Sequence, residues 1–91
     1  MVQNLIMAGV LIEDRNNIAT KVQEVLTKYS EFIFCRMGVS DLTNYCRLGE
    51  GVEQADGVIT LIIRSGEEKV KELAADLANI PGVTFKYMVL A

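Results

Sequence analysis

The side chains able to do chemistry are few, and one type is missing: the 91-residue chain contains no histidine. Its absence removes the commonest general base and the commonest metal ligand together. A cysteine–histidine or serine–histidine nucleophile is therefore excluded. Cys35 and Cys46 are separated by ten residues, outside the C-x-x-C spacing of zinc ribbons and redox motifs. Two thiolates per chain would need a second subunit to complete a four-ligand site, and Cys35 reads more simply as a small core residue. Glu50, Glu53 and Asp56 lie near Gly49 and Gly51 but lack the D-x-D-x-D-G order of a calcium loop, and read as a solvated loop. Gly49-Glu50-Gly51 is followed by no Gly-Lys-Ser/Thr, so it is not a phosphate loop. No catalytic site, metal or cofactor is expected.

The stretch best placed to hold a ligand is Asp14-Arg15-Asn16-Asn17. It joins an apolar strand to an amphipathic helix, whose first turn offers free N–H groups and the positive end of the helix dipole. A small anionic or amino-acid-like effector suits that position. The plainer reading is a capped helix start, with Asn16 or Asn17 accepting a backbone N–H.

The elements that must position these residues follow from hydrophobic periodicity. Leu5–Ile12 is eight residues without a charge or a side-chain hydrogen-bonding group, so both faces of this strand need cover. Ile18, Val22, Val25, Leu26 and Tyr29 fall at helical spacing. Phe32–Val39 reads as a second strand and Gly57–Arg64 as a third. Between them lies a 17-residue connection, Ser40–Asp56, long for a compact domain. Ser65-Gly66-Glu67-Glu68 fits a capping box, followed by a second helix marked by Val70, Leu73, Ala74 and Leu77. Pro81-Gly82 makes a turn into a last strand, Val83–Leu90.

The order is βαββαβ in one α+β domain spanning residues 1–91. It is the ferredoxin-like signature: a four-stranded antiparallel sheet, order 4-1-3-2, with two helices on one face. Leu5–Ile12 and Gly57–Arg64 then become the two central strands.

Splitting each strand by its period of two sorts the side chains. Ile6, Ala8, Val10 and Ile12, with Ile33, Cys35, Met37, Val39, Ile59, Leu61, Ile63, Phe85, Tyr87 and Val89, form the expected helix side. The other face takes Leu5, Met7, Gly9, Leu11, Phe32, Phe34, Val58, Thr60, Ile62 and Met88, with Arg36, Arg64 and Lys86 at its margins. Each buried Leu, Ile or Phe is worth roughly 1.5–3 kcal/mol. Leaving six or seven wet forgoes on the order of 10 kcal/mol, comparable to the whole stability of a small domain. The expected remedy is self-association, as a dimer or tetramer, through Leu5, Met7, Gly9, Leu11, Phe32, Phe34, Val58 and Ile62.

Charge and size narrow the partners. Nine Lys and Arg against twelve Asp and Glu give a net charge of −3, a balance ill suited to phosphate backbones or an anionic membrane. Leu5–Ile12 is too short to span a bilayer and follows no basic segment, so a cytoplasmic protein is expected.

Glu13-Asp14-Arg15, the Val22…Val25-Leu26…Tyr29 helix, Arg36-Met37-Gly38 and the Leu77…Ile80-Pro81-Gly82-Val83…Lys86 close resemble a family of small stand-alone iron-only hydrogenase system regulators. That family is grouped with ACT-like and nickel-responsive-regulator C-terminal-like domains. The resemblance implies a ferredoxin-like fold, oligomers built through sheets, and a regulatory role with a small effector. ACT domains commonly read Asp-Arg-Pro-Gly at the first turn, where this chain has Asn16-Asn17. The histidines of the nickel site are missing, and no room is left for a ribbon-helix-helix DNA-binding segment. The expectation is a non-enzymatic oligomeric regulator acting through a protein partner. The alternatives are a small enzyme using Cys46, Arg36 or Arg47, or a structural adaptor.

Overall fold

The computed structural model describes residues 3–13, 18–40 and 57–91. The order is β1 (Asn4–Ile12), α1 (Ile18–Lys28), β2 (Ile33–Ser40), β3 (Gly57–Ser65), α2 (Glu67–Ala78) and β4 (Val83–Val89). The strands make one antiparallel sheet in the order β2-β3-β1-β4, the ferredoxin-like 4-1-3-2 sheet counted from its other edge. Among the described residues no helix is long and apolar enough to cross a membrane.

β1 is one of the two central strands, beside β3, and from Leu5 to Ile12 it is apolar at both parities. It pairs with β3 from Asn4↔Ser65 to Ile12↔Gly57 and with β4 from Ile6↔Val89 to Ile12↔Val83. Its even positions, Ile6, Ala8, Val10 and Ile12, are buried with Ile59, Leu61 and Ile63 of β3. Val22 and Leu26 of α1 and Val70, Leu73 and Leu77 of α2 join the same cluster, which places both helices on this face.

α1 ends in tightening turns, Tyr29 N–H donating to the Leu26 carbonyl and Phe32 N–H to that of Tyr29. After α2, Gly82 takes φ 83°, a left-handed conformation open to glycine at little cost. Its carbonyl accepts the Glu13 N–H at 2.8 Å, tying the end of β1 to the start of β4.

The start of α2 departs from expectation. Its N-cap is Gly66, which gives no side-chain cap. Ser65 belongs to β3, paired with Asn4, and its buried hydroxyl donates to the Gly66 carbonyl at 2.9 Å. The ladder, running one residue further than the sequence pattern suggests, takes the serine that would have capped the helix.

The second departure is in β2. Ile33 lies opposite Ile63, yet Cys35 lies opposite Ile62, so Phe34 is an extra residue in a β-bulge. A one-residue slip exchanges the faces of everything after it. Cys35 and Met37 therefore line up with Ile62 and Thr60 on the helix-free face, and both are exposed. Arg36 and Gly38 align with Leu61 and Ile59 on the other. Cys35 is thus not a core residue. Phe32, expected on the helix-free face, instead packs half-buried against the core, with Lys69 Nζ 5.2 Å from its ring centroid.

Candidate functional site

The helix-free face is ordered by the register into transverse rows. Cys35, Ile62, Met7 and Met88 form one row, and Met37, Thr60, Gly9 and Lys86 form the next. Val58, Leu11 and Thr84 follow, while Leu5 and Arg64 pair at the other end. Much of this apolar surface is wet: Met37 is 65% exposed and Met88 58%, with Leu5 and Met7 also exposed. Leu11, Val58 and Ile62 are half-buried. Phe34, the extra residue of the bulge, is 75% exposed.

Gly9 shapes the centre. A Cβ built there would meet nothing within 4 Å. Gly9 lies in a shallow depression of about 330 Å³, open to solvent and lined by Met7, Ala8, Gly9, Thr60, Lys86, Tyr87 and Met88. The two charged strand positions of the face, Arg64 and Lys86, are both cations, and its strand positions carry no carboxylate.

The polar contacts on the helix side have a structural character. Tyr29 Oη donates to Asp76 Oδ2 at 2.5 Å, and Lys28 Nζ reaches the same oxygen at 3.1 Å, tying the end of α1 to α2. The hydrogen bond to Asp76, aided by burial, pushes the Tyr29 hydroxyl up to about 12. The same bond, with that from Lys28, holds the Asp76 carboxyl below its ordinary range. Tyr87 Oη donates to Glu67 Oε2 at 3.1 Å, linking β4 to the first turn of α2, and that carboxylate raises the Tyr87 pKa.

A phenol whose folded-state pKa is raised contributes stability in full below its unfolded value, near 10, and loses it as pH rises through about 12. Tyr29→Phe is expected to cost about 1 kcal/mol at pH 7. It should also flatten the decline in urea midpoint between pH 10 and about 12, measured against wild type. Asp76 acts in the opposite sense: its contribution is present above the ordinary carboxylate range and fades as pH falls through its lowered value.

Asp14, Arg15, Asn16 and Asn17 lie outside the described residues, as do Cys46, Glu50, Glu53 and Asp56. What flanks the first stretch is described: Glu13, held by Gly82, and the start of α1 at Ile18. Among the described residues no three His, Cys, Asp or Glu side chains come together as a metal site. That Thr60, Gly9 and Lys86 share one face was within reach of the sequence, since period-two sorting puts all three there. Only the register makes them neighbours.

A comparison with curated protein sequences finds no match. Among solved structures, the uncharacterized protein TM1266 of Thermotoga maritima is 23% identical with a TM-score of 0.75, over 99% of this chain and 100% of that one. The ACT domain of the GTP pyrophosphokinase of Chlorobium tepidum is 18% identical with a TM-score of 0.69, over 97% and 89%. The nitrogen regulatory PII-like protein CPII of Thiomonas intermedia K12, bound to ADP, AMP and bicarbonate, is 14% identical with a TM-score of 0.56, over 99% and 94%. These likenesses show the fold. Residues 4–87 match the TM1266-like family, described as "Iron-only hydrogenase system regulator, putative", and the chain belongs to that family.

Proposed function

We propose that this protein is a non-enzymatic regulatory domain that self-associates through its helix-free sheet face and binds a small effector near the resulting interface. The observation that carries the reading is the apolar face itself, with Leu5, Met7, Met37 and Met88 exposed on it. Strands about 4.8 Å apart and about eight residues long give a face of roughly 500 Å². Two copies would bury about 1,000 Å², about the least that a specific interface needs.

Membership of a regulator family supports the regulatory half of the reading. The fold shared with an ACT domain and with a PII-like protein bound to nucleotides and bicarbonate supports the ligand-binding half. Asp14, Arg15, Asn16 and Asn17, between β1 and the start of α1, are the proposed effector contacts. Regulation would pass through a protein partner, because a net charge of −3 is a poor match for a polyanionic phosphate backbone.

Sedimentation equilibrium at micromolar concentration tests the assembly. A dimer or tetramer is the expected result; a single species of 10.1 kDa overturns it. Native mass spectrometry of the same sample should show an added mass that Arg15→Ala loses.

A further inference from the structure

We infer that the depression over Gly9 is a binding site for a small organic anion with an apolar body, seated between the sheets of paired subunits. The inference rests on the self-association proposed above. Thr60 and Lys86 flank Gly9 on neighbouring strands, Thr60↔Gly9 and Gly9↔Lys86. With strands about 4.8 Å apart, their backbones stand about 10 Å from one another across a position that has no side chain. A hydroxyl and an ammonium thus border one hollow, both able to donate to an anionic head. Met7 and Met88, one row along, give it a flexible apolar wall. In the single chain it is a hollow of about 330 Å³ open on one side, which a second sheet would close.

Charge points to the sign of the ligand. Lys86 forms no ion pair with another described side chain, and the face supplies no carboxylate from its strands. Pairing two such faces near Gly9 brings two Lys86 ammonium groups into one gap. Ammonium groups taken out of water need a counter-charge, and the strand positions of the apposed faces do not carry one. An organic anion would supply it, and its apolar body would fill the space that Gly9 leaves. The ligand would then bind the assembled form more tightly than the single chain and stabilise it by mass action.

The test uses the fluorescent sulfonate 1-anilinonaphthalene-8-sulfonate and its uncharged relative N-phenyl-1-naphthylamine. Sedimentation is run on the same samples. Lys86→Gln, which removes both ammonium groups from the gap, is expected to weaken the sulfonate at least about tenfold, the loss of one or more charge-assisted hydrogen bonds, and to leave the neutral dye unchanged. Gly9→Leu should abolish binding of both dyes by filling the hollow. Lys71→Gln, an exposed change on α2, should alter neither. The anion site is overturned if Lys86→Gln binds the sulfonate as tightly as wild type, or if Gly9→Leu still binds it. A wild-type chain that sediments as a monomer with and without dye overturns the self-association reading instead. The two failures are therefore distinct.

Discussion

Met7→Asp is expected to turn the proposed oligomer into a folded single chain. Met7 sits near the middle of the helix-free face, between Ile62 on β3 and Met88 on β4, and its side chain is exposed in the single subunit. A carboxylate there meets water in the monomer and costs little. In a paired sheet it would lose a methionine contact worth roughly 1.5–3 kcal/mol and bury a charge at several kcal/mol more. A two-fold interface meets the change twice, so the association constant should fall by about four orders of magnitude or more. Sedimentation should give one chain per particle while the far-ultraviolet circular dichroism keeps its α/β shape. A variant that stays oligomeric would place the interface elsewhere. Loss of the dichroism would mean that the subunit does not stand alone.

The largest loss of stability within a subunit is expected from Leu61→Ala. Leu61 is fully buried on the central strand β3, opposite Ala8 of β1 and Arg36 of β2. The small side chain at Ala8 cannot move in to fill the gap. Leu→Ala in such a site costs about 2–5 kcal/mol; about 3 kcal/mol would lower Tm by roughly 15 °C in a chain of this size. Leu61→Met, which keeps the volume, should cost less than about 1.5 kcal/mol. Urea melts of the two variants check this. Equal losses would mean that side-chain shape, rather than the cavity, sets the cost.

Most of the fold was legible because β1, β3 and both helices obey a simple period. From Ile6 onward the even residues of β1 are buried and the odd ones face away from the helices, as the alternation requires. β2 was misread after Ile33 because Phe32-Ile33-Phe34 is apolar at every position and so carries no parity. A bulge inserted in such a run leaves no trace in composition, and only the pairing with β3 reveals it. Ser65 was misread for a different reason: a serine before two glutamates suits a cap, but it suits the last rung of a ladder equally well. The Gly9 hollow was partly legible, as a gap in the face. The company of Thr60 and Lys86 was not, because register is a relation between strands far apart in the chain.

The placement of β1 between β3 and β4 also sets a timetable for the growing chain. Its nearest hydrogen-bonding partner begins at Gly57, so the most apolar strand has nothing to pair with until well over half of the sequence exists. Its second partner, starting at Val83, arrives almost at the end. Contacts this distant close slowly, and a bare apolar strand invites misassociation while it waits. The arrangement that gives the finished sheet its apolar centre thus makes the nascent protein depend on completing that sheet in one late, cooperative step.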